Sequence, residues 1–272
     1  MLNIRNIKLI IWDLDETLWN GTLTEGSIQL NEMFDNFIND TLDAGIIHSI
    51  CSKNEPEMVN KKLTELGILD NFVFISVNWE PKGKRIEQTI QDMGLRACNV
   101  LFVDDNIQNL QEAAYYCPGI MTALPEEMTN FIAETGKIEK SDTMRNRLRQ
   151  YKVLEEKRQE RKQYTSNEDF LISSKITVSI KNDCLENISR IADLVSRSNQ
   201  LNYTKKRDNK EELKKLFCDP EVNCGYVSVR DKFGDYGIVG FFAIKDRRCI
   251  HYLFSCRTLG MRIEQYVYMQ LE

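Results

Sequence analysis

Histidine is scarce, and no cysteine stands in a C-x-x-C pair: the 272 residues hold two histidines and eight cysteines. His48 and His251 each fall in a strand pattern with no His or Cys at ligand spacing, which marks them as core or surface residues rather than metal ligands or bases. The scattered cysteines, Cys51, Cys98, Cys117, Cys184, Cys218, Cys224, Cys249 and Cys256, suit neither a zinc site nor a disulfide framework, and point to a reducing cytoplasm. No apolar run approaches the ~18–20 residues of a membrane span. The N-terminal residues lack the basic, apolar and small-residue regions of a secretory signal. A membrane protein and a secreted one are therefore not expected. Thirty-six Lys+Arg against 41 Asp+Glu leave a formal charge of −5, without the basic footprint of a nucleic-acid binder. Internal repeats and low-complexity tracts are absent.

What is present is alternation. Apolar runs at Leu9–Trp12, Ile46–Ile50, Phe72–Ile75, Val100–Val103 and Ile120–Thr122 read as strands, and helical patterns lie between them, the signature of βα units and a mostly parallel sheet. Phe34, Phe37, Ile38 and Leu42 share one helix face, as do Val59, Leu63 and Leu66, and then Ile86, Ile90 and Met93. Gly45, Gly67 and Gly94 close these three helices. From Gly136 to about Asn167 charge of both signs replaces the apolar periodicity, which reads as a solvated helical linker or, alternatively, a docking surface for an acidic partner. A further amphipathic helix follows, marked by Ile188, Ile191, Ala192, Val195 and Leu201. Strands are expected over Tyr226–Arg230, Ile238–Lys245 and Cys249–Ser255, and a last helix from near Leu259. The division predicted is a catalytic domain at 1–135, a charged linker at 136–168 and a smaller α+β domain at 169–272.

The chemistry concentrates at strand ends. Asp13-Leu14-Asp15-Glu16-Thr17 follows the first strand, so two carboxylates approach the edge where open α/β sheets bind ligands. One can attack phosphorus while the other handles protons, with Mg²⁺ neutralising the phosphate. Asp104-Asp105 follows the fourth strand and reaches the same edge. Ser52 ends the second strand and can bond a phosphate oxygen, and Lys82 precedes a helix and offers a point charge. Each element alone is commonplace, since a D-x-D is usually a turn and an Asp-Asp-Asn a loop. Four at successive strand ends form a constellation.

D-x-D-x-T-L-W, Ser52, Lys82 and Phe102-Val103-Asp104-Asp105-Asn106 resemble the four motifs of the haloacid dehalogenase (HAD) superfamily. The resemblance implies a Rossmann-like domain transferring phosphoryl groups through an aspartyl-phosphate. Asp13 would be the nucleophile, Asp15 the general acid/base, and Ser52 and Lys82 the phosphate clamp. Asp13, the Asp15 carbonyl and Asp104 would bind Mg²⁺, with Asp105 orienting or ligating. The short gap after the first motif leaves no room for a large cap.

The rest of the chain is similar to FkbH-type proteins, HAD subfamily IIIC, of polyketide biosynthesis. The matching segments are Ile191–Leu194, Asn199–Thr204, Arg230–Gly240 and Ser255–Gly260. Members take phosphate from 1,3-bisphosphoglycerate and deliver the glyceryl group to an acyl carrier protein. Arg257-Thr258-Leu259-Gly260-Met261-Arg262 also resembles the phosphate loop of GNAT acyltransferases, with Arg262 in place of a small residue. An acyl or pantetheine site is thus implied around Asn199, Asn202, Asp235, Arg257 and Gly260. Two departures stand out. Leu14 occupies the position where the family commonly has Cys, leaving Cys51 and Cys256 as replacement thiols or inert core residues, and a GNAT-like sheet would continue past Glu272, so a fragment is expected. The leading expectation is an Mg²⁺-dependent enzyme of FkbH type with a phosphorylated small-molecule substrate, an acyl carrier protein partner, and no nucleic acid or membrane partner. The alternatives are a phosphatase acting on a small phosphoester or phosphoprotein, and a non-catalytic carrier-protein docking module.

Overall fold

The computed structural model describes residues 3–198 and 201–271, and the chain divides into two compact units between Glu155 and Glu156. Among the described residues no helix is long and apolar enough to cross a membrane.

In the first unit the elements run β1 (Leu9–Trp12), β2 (Trp19–Asn20), β3 (Gln29–Leu30), α1 (Glu32–Asp43), β4 (Ile47–Ser52), α2 (Pro56–Glu65), β5 (Ser76–Val77), α3 (Lys82–Asp92), β6 (Val100–Val103), α4 (Ile107–Tyr116), β7 (Met121–Ala123), α5 (Pro125–Thr135) and α6 (Asn146–Arg161), the last containing the division. The sheet is parallel, in the order β5-β4-β1-β6-β7. β1 is apolar at every position and buried throughout, as a central strand covered on both faces must be. Chain connection leaves β1 toward β4 on one side and returns to β6 on the other, so the carboxyl end of β1 is a topological switch point, where such sheets open a crevice. The helices start and stop on local chemistry. The Asn31 side chain accepts from the backbone of Met33 and Phe34 to cap α1, and Asn106 accepts from Gln108 to cap α4. Between β1 and α1 only the small β2–β3 hairpin intervenes.

Two expectations need correction here. The strand predicted at Phe72–Ile75 is displaced to Ser76–Val77: Phe72 makes only an isolated bridge to His48, Phe74 turns to φ +52°, and its N–H is taken by Glu155 Oε1 at 2.7 Å. The charged stretch after Gly136 is not solvated along its length. Lys140 pairs with Asp40 at 2.8 Å, Arg145 with Asp43 at 2.9 Å, and Arg147 Nη1 donates to the Gly45 carbonyl at 2.7 Å, while Leu148, Tyr151 and Leu154 pack on the core. Arginines that read as surface charge instead satisfy acceptors around the end of α1.

The second unit holds α7 (Asn167–Ser173), β8 (Thr177–Lys181), α8 (Ile188–Arg197), α9 (Lys210–Phe217), β9 (Asn223–Asp231), β10 (Gly234–Lys245), β11 (Arg248–Phe254) and α10 (Ile263–Leu271). Its sheet is antiparallel, ordered β11-β10-β9-β8, and Ile191, Leu194, Val195 and Leu213 of α8 and α9 pack with Phe241, Ala243 and Leu253. Sequence periodicity misses β8 and α9. β8 is a half-exposed edge strand, and α9 buries a single leucine, Leu213.

Candidate active site

Asp13 leaves the end of β1, its N–H donating to the Val103 carbonyl at 2.9 Å, and Asp104 leaves the end of neighbouring β6, its N–H reaching Ala123 O at 3.3 Å. Both side chains are buried. Between them lies the Lys82 ammonium, 2.6 Å from Asp13 Oδ1 and 2.6 Å from Asp104 Oδ2, at the first residue of α3 and almost wholly removed from water. A buried ammonium shared by two carboxylates is costly to assemble and chemically informative. Burial pushes the Asp13 carboxyl up to about 6, with Lys82 opposing the rise and Asp104 adding to it. Burial likewise works against the charge on Lys82, but the two carboxylates outweigh it and hold the ammonium above its ordinary range.

The carboxylates of Asp13, Asp104 and Asp105 offer ligand atoms within 4.8 Å of one another. Hard oxygen donors so grouped fit a magnesium ion. Asp105 is exposed, and partial desolvation together with Asp104 raises its carboxyl. Asp104 is oriented by donors to its own oxygens: Asn106 N–H at 2.9 Å and Asn109 Nδ2 at 3.0 and 3.2 Å. The Asp105 N–H donates to Thr17 Oγ1 at 3.0 Å, tying the two acidic loops together.

Asp15 stands apart from that carboxylate group. Its Oδ1 accepts from Trp19 Nε1 at 2.8 Å and Leu23 N at 3.0 Å, and its Oδ2 from Asn54 Nδ2 at 2.8 Å, so the side chain is fixed at the crevice by three donors. Ser52 is buried at the carboxyl end of β4, beside β1. Its carbonyl accepts from Asn78 N at 3.3 Å and from Arg85 Nη2 at 2.9 Å.

Arg85, Asn54 and Asn109 escape sequence reasoning, and Thr17 is seen there only as part of the first motif, without a role. Arg85, one turn along α3 from Lys82, is buried and donates to Ser76 Oγ and to the carbonyls of Ser52, Ser76, Asn78 and Glu80, bracing the strand ends from which the site grows. Lys53 Nζ reaches Asn109 Oδ1 at 3.3 Å, placing a second cation beside the Asp104 network. Below the site Trp12 Nε1 donates to His48 Nδ1 at 2.9 Å, so the ring proton belongs on Nε2, which donates to Thr41 Oγ1 at 2.9 Å, and Thr41 in turn donates to Phe37 O. Burial drives the His48 ring down to about 3, keeping it neutral.

In the second unit the residues expected at a site have the following partners. Asn199 and the Cys256 side chain lie outside what is described. Asn202 is buried and organises its own turn, accepting from Lys205 N at 2.8 Å and donating to Lys206 O at 3.0 Å. Asp235 serves the β9–β10 hairpin, accepting from Gly237 N at 2.8 Å and pairing with Arg230 at 3.2 Å. Arg257 Nε donates to Ser255 Oγ at 3.1 Å, and Gly260 takes φ +77° with its carbonyl accepting from Asn167 Nδ2 at 3.2 Å. Within this unit Lys157 is also buried, 2.8 Å from Asp231 Oδ2 and 3.2 Å from the Tyr236 hydroxyl.

No protein-family model matches the chain, and no curated protein does. Among solved structures it is similar to the N-terminal part of a Bacteroides fragilis protein described as containing a phosphatase domain complexed with Mg, with 23% identity and a TM-score of 0.44 over 49% of this chain and 41% of that one. The chain thus spans less than half of that relative. A cobalt-bound deoxy-D-mannose-octulosonate 8-phosphate phosphatase from Haemophilus influenzae is 20% identical with a TM-score of 0.37, over 54% of this chain and 90% of that one. A mutant HAD-family enzyme from Bacteroides thetaiotaomicron, in complex with magnesium and inorganic phosphate, is 13% identical with a TM-score of 0.35, over 44% and 95%.

Proposed function

We propose that the first unit is an Mg²⁺-dependent phosphoryl-transfer enzyme of the haloacid dehalogenase type, acting on a phosphorylated small molecule through an aspartyl-phosphate at Asp13. The observation that carries this reading is the Lys82 ammonium held 2.6 Å from both Asp13 and Asp104 at a sheet's switch point. Phosphoryl transfer needs positioning and charge neutralisation more than covalent help, and this arrangement offers both. Asp13 attacks phosphorus as the bond to the leaving oxygen breaks. Asp15, oriented by Trp19, Leu23 and Asn54, gives its proton to that oxygen. It then takes a proton from the water that cleaves the aspartyl-phosphate, so inorganic phosphate departs and both carboxyl groups return to their starting state. Lys82 and Ser52 hold the phosphoryl oxygens throughout. Asp13, Asp104 and the Asp15 carbonyl, with Asp105 beside them, would hold Mg²⁺, which would supply neutralisation of phosphate charge.

A finer reading adds glyceryl transfer from 1,3-bisphosphoglycerate to an acyl carrier protein, with the second unit as a GNAT-like recognition domain. Two residues favour phosphate release instead. Leu14 is fully buried and has no thiol, and burial raises the neighbouring thiol of Cys51 to about 11, which keeps it protonated and inert. Phosphate release is measured from a panel of phosphate monoesters and acyl phosphates with Mg²⁺, with a phosphopantetheinylated carrier present in parallel. The reading expects Mg²⁺-dependent release that Asp13→Asn abolishes and no acyl adduct on the carrier. Retention of more than a few per cent of turnover by Asp13→Asn contradicts the nucleophile, and a glyceryl-sized adduct restores the transferase.

A further inference from the structure

Of the three tryptophans, Trp12 and Trp19 are fully buried and Trp79 is 62% exposed. An exposed apolar side chain is ordinary when it is free to move. Trp79 is tied at its ring by one hydrogen bond and through the backbone on either side of it by two more. Its indole N–H donates to Glu55 Oε1 at 2.8 Å, and the carbonyls flanking it, Asn78 O and Glu80 O, both accept from Nη1 of buried Arg85 at 3.0 and 3.1 Å. The Glu80 N–H is bound by Asn78 Oδ1 at 2.9 Å as well. Fixing a large ring while leaving its area in water gives no folding benefit that a small polar residue would not give, whereas a preorganised aromatic face lowers the ordering cost of binding.

Its place in the fold says what it would bind. Asn78 N donates to Ser52 O at 3.3 Å, the Trp79 Cα lies within about 10 Å of the Lys82 Cα by chain reach, and Glu55, which the indole bonds, directly follows Asn54, whose side chain reaches Asp15 Oδ2 at 2.8 Å. Met58, 43% exposed, follows Glu55 by one helical turn on α2 and adds a second apolar contact at that rim. Glu55 puts a carboxylate against the ring and disfavours an anionic group there. Resting on the phosphoryl-transfer reading above, we infer that Trp79 is a specificity-determining platform at the rim of the site, on which an uncharged planar or apolar part of the leaving group lies. The substrate class is then a phosphate monoester whose alcohol carries a bulky apolar part, rather than glycerate phosphate.

The full chain with Mg²⁺ is tested on 4-phenylbutyl phosphate and ethyl phosphate, alkyl esters with leaving alcohols of similar acidity. Trp79→Ala should lower the ratio of their kcat/KM values about tenfold, mainly through KM of the larger ester, the scale of one aromatic contact with its buried area. Trp79→Phe should keep most of the ratio. In parallel, acrylamide quenches the exposed indole selectively, and 4-phenylbutyl phosphate should shield it where ethyl phosphate does not. An unchanged ratio in Trp79→Ala with normal turnover overturns the platform and leaves phosphoryl transfer standing. Shielding without turnover of either ester upholds the platform and removes the phosphoryl-transfer reading.

Discussion

At the scale of single residues, the decisive feature is a cation that cannot leave. Lys82 is 1% exposed, and its removal places the carboxylates of Asp13 and Asp104 against each other with no compensating charge. Lys82→Ala should therefore lose activity and also stability, by about 3 kcal/mol in urea unfolding, the usual cost of stranding a buried charge. The double variant Lys82→Ala with Asp13→Asn should recover part of that stability, because one of the two stranded charges is gone. Equal stability of the single and double variants would mean the loss is one of packing rather than charge. Sequence was informative at this scale where a residue's role follows from its own position. Asp13, Ser52 and Asp104 each end a strand pattern, and Lys82 opens a helix, so their placement on one sheet edge was legible. Asn54 was not, because its bond to Asp15 spans 39 positions, and neither was Arg85, whose acceptors are mostly backbone carbonyls that carry no sequence signature.

At the scale of elements, the site depends on how closely α3 and α4 approach. Gly83, directly after Lys82, has Tyr116 and Glu112 of α4 where a side chain would go: an added Cβ would sit 2.4 Å from Tyr116 Cδ2 and 3.0 Å from the Glu112 carbonyl. Glu112 Oε2 also accepts the Lys82 N–H at 3.2 Å, supplying a partner to an α3 terminus that Pro81 leaves without a side-chain cap. Gly83→Ala should push the helices apart, at a stability cost of about 2 kcal/mol, and carry the Lys82 ammonium off its two carboxylates. Kinetics should show a larger fall in kcat/KM than the stability change accounts for at working temperature, and unaltered kinetics would detach Gly83 from the positioning of Lys82. The elements of the first unit were largely readable because parallel strands buried on both faces appear as apolar runs. β5 was misplaced because Glu155, some eighty residues away in the chain, takes the N–H of Phe74. In the second unit β8 and α9 have too little buried apolar surface to generate a period.

For the molecule as a whole, acid sensitivity has an identifiable source. His48 is fully buried between Trp12 and Thr41, and its ring takes up a proton at about 3 in the fold against about 6.5 in an unfolded chain. The unfolded state therefore binds the extra proton between those values, so this contribution is complete above pH 6.5 and is lost as pH falls toward 3, at roughly 1.4 kcal/mol per pH unit. His48→Gln should flatten that part of the stability profile in urea titrations between pH 4.5 and 6.5, and an unchanged slope would place the acid sensitivity elsewhere. The proposed chemistry turns on one bond, that between Asp13 and phosphorus. Its most direct test is to mix the chain with Mg²⁺ and a turned-over phosphate ester, quench in acid within a single turnover, and map modified peptides by mass spectrometry. A phosphate-sized increment on the peptide that carries Asp13, absent in Asp13→Asn, is the predicted result. Steady phosphate release with that peptide unmodified at every quench time would contradict it.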